Sequence, residues 1–436
     1  MKILILGSGG REHAYCWKIS QSKLCDQLFI APGNAGTAQF GENITIDIND
    51  FEKVKEICIT KNIEMVVVGP EEPLVRGIYD FFKSDEDLKN ICITGPSAYG
   101  AQLEGSKAFA KAFMERHKIP TSKYGEFGVT NFDEGVEYIK KHPLPIVLKA
   151  DGLAAGKGVI ICNNRIEALS EFELMIQQSK FGDAGKKVVV EEFLDGIELS
   201  VFVLTDGKNY VLLPEAKDYK KIGEGDEGLN TGGMGAISPV PFATEHFMQK
   251  VTDQIIEPTI NGLQAEKIDY KGFIFFGLIK VEDEPMVIEY NCRMGDPETE
   301  VVLLRLNNDL VELFVAMEHQ KLSDQKIEIK KDVAATVVAV SGGYPNDYKK
   351  GKPIVFGYLE NPEAIKHIDE NGGVFVFHSG TKQVDDQVLT NGGRVLAVSS
   401  VAGSLGDAIE LSKSILEEIF FDGMYYRGDI GYEFVD

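Results

Sequence analysis

The stretch Val287-Ile288-Glu289-Tyr290-Asn291-Cys292-Arg293-Met294-Gly295-Asp296-Pro297-Glu298 says most about how this chain is built. Its first half reads as a buried β-strand, whose side chains alternate between faces with a period of two. That alternation puts Val287, Glu289 and Asn291 on one face. A carboxylate beside an amide oxygen suits a hard cation such as Mg²⁺. Arg293 follows on the same face, where a guanidinium pairs with phosphate or carboxylate. Gly295-Asp296-Pro297-Glu298 then ends the strand in a turn and adds two carboxylates. Metal ligands and an anion-binding arginine at a strand end are the equipment of nucleotide-dependent phosphoryl chemistry. Glu-x-Asn also describes a solvated strand edge, so the rest of the chain has to decide.

The 436 residues are enough for about two to four domains with a large core. Hydrophobic residues make up 44% and charged residues 26%, the balance of a globular protein in water. Lys and Arg number 45 against 68 Asp and Glu, a net charge of −23. That excess argues against nucleic acid as a partner, which calls for a basic surface. It leaves room for phosphate ligands, which need only a local group of cations and backbone N–H groups. Six scattered cysteines form no Cys-x-x-Cys pair. They read as reduced thiols of a cytoplasmic protein, not as zinc ligands. The N-terminal strand runs straight into glycines without a signal peptide, and no apolar run approaches a membrane span.

Over the first hundred residues short apolar strands alternate with helical patterns. Strands are expected at Lys2–Leu6, Gln27–Ala31, Met65–Val68 and Ile91–Thr94, and helices at 11–20 and Phe51–Lys61. Each strand runs into Gly or Pro, the pattern of a parallel α/β sheet with ligand loops at the strand C-termini. Residues 105–325 read as α+β. Helices are expected near 105–116, 131–141, 165–180 and 244–265. Strands are expected at Ile146–Lys149, Val159–Ile161, Lys187–Phe193, 197–205, 208–213, 273–282 and 286–290, with a long glycine-rich loop at 222–238. The last hundred residues hold strands at 333–340, 374–377 and 394–400 and a helix at 405–420. No internal repeat is visible.

Four segments carry chemistry. Gly7-Ser8-Gly9-Gly10-Arg11-Glu12-His13 follows a strand and opens a helix, a place where backbone N–H groups and the helix dipole meet an anion. It departs from the dinucleotide fingerprint at Glu12, where the third glycine belongs. A phosphate site and a tight strand–helix turn both fit it; His13 reads as structural. In Ile146-Val147-Leu148-Lys149 a lysine ends an apolar strand, which is costly unless it meets an anion. The loop after it, Ala150 to Gly158, is made of small residues and Lys157, suited to closing over phosphates. Glu191-Glu192-Phe193-Leu194 turns into a second strand that starts near Glu198. That is either an adenine-binding hinge or an ordinary hairpin. Asp218-Tyr219-Lys220-Lys221 leads into a charged, glycine-dense stretch, which reads as a ligand-side loop or a surface excursion.

Taken together, these residues resemble the ATP-grasp superfamily. The chain also resembles, along its whole length, the glycinamide ribonucleotide synthetases within it. The match lies in Gly7–His13, Ala31–Thr37, Val68–Pro73, Leu103–Lys111, Lys149–Val159, Asn230–Ala236, Arg293–Thr299 and Val376–Thr381. The resemblance implies an α/β and α+β multidomain protein: an N-terminal parallel α/β domain over 1–104, a central ATP-grasp fold over 105–325 with a lid at about 120–193, and a C-terminal mixed α+β domain over 326–436. It implies ATP-dependent ligation of glycine to 5-phosphoribosylamine through glycyl phosphate, in a cytoplasmic monomer or weak homodimer. ATP and Mg²⁺ (or Mn²⁺) are the implied cofactors. Lys107 and Lys149 are implied on the ATP phosphates, with Gly156, Lys157 and Gly158 in the lid over them. Glu191, Glu192, Phe193 and Leu194 are implied at adenine, Glu198 at ribose, and Glu289 and Asn291 on the metal. Arg293, Lys149 and Asp296 are implied at the reacting acyl phosphate. Gly9, Gly10, Asn34, Asp218, Lys220, Arg293 and Gly295 are implied at the substrates. Gly277-Leu278-Ile279-Lys280 lacks the further acidic ligand that many ATP-grasp enzymes place there, which leaves the metal count open. Other ATP-grasp ligases or carboxylases of purine synthesis, and a non-enzymatic nucleotide-binding module, are the competing expectations.

Overall fold

In a computed structural model, residues 1–153, 158–178, 180, 182–360 and 373–435 are described. The N-terminal strands pair in parallel in the spatial order Glu42–Asn43, Gln27–Pro32, Lys2–Gly7, Met65–Val68, Cys92–Pro96. All but the exposed Glu42–Asn43 are buried on both faces, which is why they read as continuous apolar runs. The sheet does not stop there. The start of Tyr270–Val281 pairs antiparallel with Cys92–Pro96, Tyr270 opposite Pro96. The same strand then carries Ile197–Thr205 on one side and Glu284–Asn291 on the other. One nine-stranded sheet thus joins the N-terminal domain to the central one.

The segment expected to form the lid is a separate four-stranded antiparallel sheet in the order Tyr124–Gly128, Lys187–Glu192, Ile146–Ala150, Val159–Cys162. Helices Phe132–Lys141 and Arg165–Ile176 cover it with their own apolar core around Phe127, Leu148 and Phe172. Asn164, two residues past the strand Val159–Cys162, caps the second helix, its side chain accepting from Glu167 N–H at 2.9 Å.

Three expectations change. The helix near 105–116 is two pieces, Gln102–Gly105 and Lys107–Arg116, because Ser106 adopts an extended backbone and caps the second with its hydroxyl. The segment 222–238 is not a plain loop. Lys221–Gly223 and Glu227–Asn230 form a hairpin, and Gly235–Ser238 pairs with Val333–Val340 in the C-terminal sheet. That five-stranded sheet runs Lys217–Asp218, Gly235–Ser238, Val333–Val340, Arg394–Ala402, Val374–His378. The residues Thr299–Arg305 and Leu310–Glu318, unassigned from the sequence, are helices.

Candidate active site

The strand Glu284–Asn291 does not keep its alternation. Opposite Leu278 stands Val287, but opposite Gly277 stands Glu289, so Ile288 is bulged out. Val287 therefore shares the core face with Tyr290 and Cys292, while Glu289 and Asn291 face a cavity. The expected grouping of Val287 with Glu289 is corrected by that one extra residue. The bulge also frees the Ile288 carbonyl, which accepts from Lys149 Nζ at 3.1 Å.

The cavity, about 170 Å³, lies between this strand, helix Lys107–Arg116 and the lid. Of the predicted site residues it gathers Lys107, Lys149, Gly158, Glu191, Glu289, Asn291 and Arg293. Lys107 donates to the Gly152 carbonyl at 3.2 Å and, among the described residues, has no carboxylate partner. Asp151 receives Ser106 Oγ at 2.9 Å and Ala108 N–H at 3.1 Å, tying the lid to the start of that helix. Gly156 and Lys157 lie outside the described residues.

Glu191 is not simply a hinge residue. Its side chain is buried, and Oε2 takes Lys149 at 3.1 Å, Lys111 at 3.1 Å and Ser122 Oγ at 2.6 Å. Burial raises a carboxylate, but the two lysines hold Glu191 below its usual range. Burial pushes Lys111 down to about 8 against the pull of Glu191. Among the described residues Glu191 Oε1 has no hydrogen-bond partner, and neither does Asn291 Nδ2. Glu192 instead accepts from Lys123 N–H at 2.8 Å. Phe193 and Leu194, exposed and half-buried, belong to the loop that links the lid sheet to Ile197–Thr205.

Arg293 is already committed to protein carboxylates, Glu104 at 2.8 Å and Glu71 at 3.3 Å. Glu104 also accepts from Cys292 N–H at 2.8 Å, so the strand end is anchored to the turn before Ser106. Glu71, Glu104 and Lys111 line the cavity but were not singled out in the sequence. Each sits in a helical stretch that reads as ordinary amphipathic surface. The only signal was their place inside the motifs Val68–Pro73 and Leu103–Lys111.

The remaining predicted residues stand outside that cavity in two groups. In one, Lys220 pairs with Glu198 and, at 3.1 Å, with Asp218. In the other, Asp296 pairs with Arg394 at 3.1 Å and faces Arg11 N–H at 3.3 Å. Burial raises Asp296, and Arg394 and Arg11 more than reverse that. Gly9 and Gly10 pack against this corner: a Cβ on Gly10 would lie 2.2 Å from Glu300 Oε1. Glu12, at the missing-glycine position, accepts from Gly9 N–H at 2.5 Å, so the loop satisfies its own amide. Asn34 spends its side chain on Ser8 O, His378 O and the N–H groups of Gly36 and Thr37. His13 is a buried acceptor for His378 N–H at 2.7 Å, the structural role expected of it.

Glu289 and Asn291 present two oxygen donors to the cavity, a donor set that suits a hard cation only when further oxygens complete it. The unpartnered buried Nδ2 of Asn291 shows that protein contacts do not fix this amide. Among the described residues no group of three acidic, His or Cys side chains forms a closed metal cage.

Comparison with known proteins agrees with this architecture. Residues 1–104, 105–299 and 334–433 match the family models of the phosphoribosylglycinamide synthetase N domain, ATP-grasp (A) domain and C domain. A phosphoribosylamine–glycine ligase of Pasteurella multocida is 44% identical over 438 residues, covering 100% of this chain and 98% of that protein. The crystal structure of the Thermotoga maritima phosphoribosylamine–glycine ligase superposes with a TM-score of 0.82 at 34% identity, over 98% of this chain and 100% of that one. A biotin carboxylase domain of Hydrogenobacter thermophilus shares the fold at 17% identity, with a TM-score of 0.71 over 98% and 91% of the two chains. The chain, with its three domains and its ATP-grasp centre, belongs to the phosphoribosylglycinamide synthetase family.

Proposed function

We propose that this chain uses ATP to join the carboxyl group of glycine to the amine of 5-phosphoribosylamine, giving glycinamide ribonucleotide, ADP and phosphate. The observation that carries the reading is the meeting of Lys107, Lys149, Glu289 and Asn291 in one cavity under a lid, in a chain whose relatives are phosphoribosylamine–glycine ligases.

The residues divide the work. Lys107, free of carboxylate partners among the described residues, offers its charge to the transferring phosphoryl group. Lys149 is aimed by the Ile288 carbonyl and Glu191, which hold its Nζ at the cavity wall. Glu289 and Asn291 would hold the divalent cation, Mg²⁺ or Mn²⁺, which would supply positive charge to the phosphate oxygens. Glycine carboxylate attacks the γ-phosphoryl group, and the amine of phosphoribosylamine then displaces phosphate from glycyl phosphate. The lid loop, to which Gly156, Lys157 and Gly158 belong, shields that labile mixed anhydride from water. Glu191, Glu192, Phe193 and Leu194 stand at the adenine end, and Glu198 near the ribose. Asp218, Lys220, Arg293 and Gly295 serve glycine. Asp296 stands with Arg293 at the reacting acyl phosphate, and the loops carrying Gly9, Gly10 and Asn34 face phosphoribosylamine. The six cysteines stay unpaired, which accords with a cytoplasmic setting.

The test is ADP formation by the purified chain with ATP and Mg²⁺. Turnover is expected to need both glycine and phosphoribosylamine, with one amide formed per ADP. ADP release indifferent to glycine overturns the reading.

A further inference from the structure

Lys111 is a buried cation with no task yet in the ligase chemistry. It is 2% exposed and stands one turn beyond Lys107 on the same helix. Its ammonium has acceptors for all three N–H groups: Thr121 Oγ1 at 2.8 Å, Ser122 Oγ at 2.6 Å and Glu191 Oε2 at 3.1 Å, with the Ser122 carbonyl at 3.3 Å. Thr121 Oγ1 in turn donates to the Val287 carbonyl at 2.7 Å, and Val287 N–H donates to the Pro120 carbonyl at 2.8 Å. Lys111 is thereby fixed to the strand that carries Glu289. Lys149 shares the same carboxylate oxygen at 3.1 Å but is held by fewer groups. Among the described residues its only other acceptor is the Ile288 carbonyl, and it lines the same cavity as Lys107.

The charges here do not cancel. Two buried lysines meet one buried carboxylate, and among the described residues no other carboxylate pairs with either lysine. An unbalanced buried cation is costly until an anion completes it. Lys149 is the one of the two with hydrogen-bonding capacity left for that anion. When it turns to a phosphate, Glu191 loses one cation and Lys111 is already in place as the other.

Resting on the ligase reading, we propose that Lys111 is a positioning residue: it is the standing counter-cation of Glu191, and by balancing that carboxylate it frees Lys149 to leave Glu191 for the ATP phosphates. Without Lys111, Glu191 and Lys149 form a closed one-to-one buried pair. A phosphate then has to break that pair and strand the carboxylate. The side chain of Lys111 acts only through Glu191 and Lys149.

Steady-state kinetics of the full chain test this. Lys111→Met keeps an unbranched side chain and removes its charge. It is expected to lower kcat/KM for ATP at least about tenfold, the size of one lost charge-assisted hydrogen bond, with the KM for glycine within about twofold. Adding Glu191→Gln is expected to recover at least about threefold of that loss, because the carboxylate that captures Lys149 is gone. A purely structural role for Lys111 makes the double variant no faster than Lys111→Met, and that result overturns the proposal. The pH profile is a second readout. Burial brings Lys111 down to about 8, against the pull of Glu191 and Glu192 and with the push of Lys149. Tyr124 faces it from the strand Tyr124–Gly128, its ring centre 5.6 Å from Nζ. Lys111 is charged below that pH and neutral above it. The native kcat/KM for ATP is therefore expected to fall as pH rises through about 8, and that of Glu191→Gln to hold level. Profiles of the same shape in the two proteins overturn the proposal and leave the ligase reading intact. A native chain with no glycine-dependent ADP formation overturns the ligase reading instead. Should Lys111→Met not fold, the pH comparison of the native protein with Glu191→Gln carries the same expected and overturning results.

Discussion

At the residue scale the site depends on which carboxylates are free and which are spent. Glu289 lines the cavity without any protein hydrogen bond among the described residues. Glu289→Ala is therefore expected to cut kcat by at least about a hundredfold, the loss of one transition-state electrostatic contact, and to raise the Mg²⁺ needed for half-maximal rate. Near-native rates at limiting Mg²⁺ would remove the metal role. Glu300 is the opposite case, fully buried with neither oxygen partnered. Burial and Asp296 raise it well above its ordinary value of 4.5. A carboxyl raised on folding binds its proton more tightly in the native state, so it costs stability progressively as pH rises above 4.5, by up to about 1.4 kcal/mol per pH unit. Glu300→Gln removes that term. Its Tm relative to the native protein is expected to climb between pH 5 and 8, which calorimetry at both pH values reads; a flat difference would place the native Glu300 ionised. Lys149, Glu289 and Asn291 stood out in the sequence as polar groups at the ends of apolar strands, and Lys107 through the family resemblance alone. Lys111 and Glu104 stand at no such place, and only their burial in the folded protein reveals them.

At the element scale the informative features are a bulge and a docking surface. The bulge at Ile288 turns a strand that reads as simple alternation into one whose core and ligand faces exchange partway along. Alternation is a local property, and a bulge is set by the neighbouring strand, so the sequence could not show it. Helix Gly10–Ile19 docks on the Ala31–Thr37 loop through His13, which sits between Phe40, Phe377 and His378. A Cβ on Gly36 would lie 2.2 Å from His13 Cε1, and the ring is held by its bond from His378 N–H. Gly36→Ala is expected to cost about 1 to 3 kcal/mol in urea unfolding, through overpacking alone. A variant as stable as the native protein would show that the His13 ring has room to move.

At the scale of the whole molecule, the C-terminal domain holds the segment that bears Asp218 and Lys220. Arg427, fully buried, pairs with Asp226 at 2.7 Å and Asp429 at 2.8 Å and donates to the Lys221 carbonyl. Glu433 takes Lys217 at 2.9 Å and Tyr219 OH at 2.7 Å. The chain's last turn thus fixes the segment bearing Asp218 and Lys220. Arg427→Ala is expected to cost about 1 to 3 kcal/mol by removing a buried guanidinium and its charge-assisted hydrogen bonds to the part-exposed Asp226 and Asp429, and to raise the glycine KM while leaving the ATP KM unchanged. Equal changes in both would mean a general loss of structure and no specific coupling. By itself the sequence determined the parallel N-terminal strands and the oxygen-bearing side chains on strand 284–291, while the lid came from the family resemblance. The first two follow from periodicity and side-chain chemistry within a few residues. Only the tertiary structure decided that one sheet runs through two domains and that 217–238 crosses into the C-terminal sheet. The same holds for Arg293 and Glu191, which answer protein charges before any ligand. Such pairings join residues far apart in the chain, and the partner of a buried charge is chosen by proximity and desolvation in the finished fold.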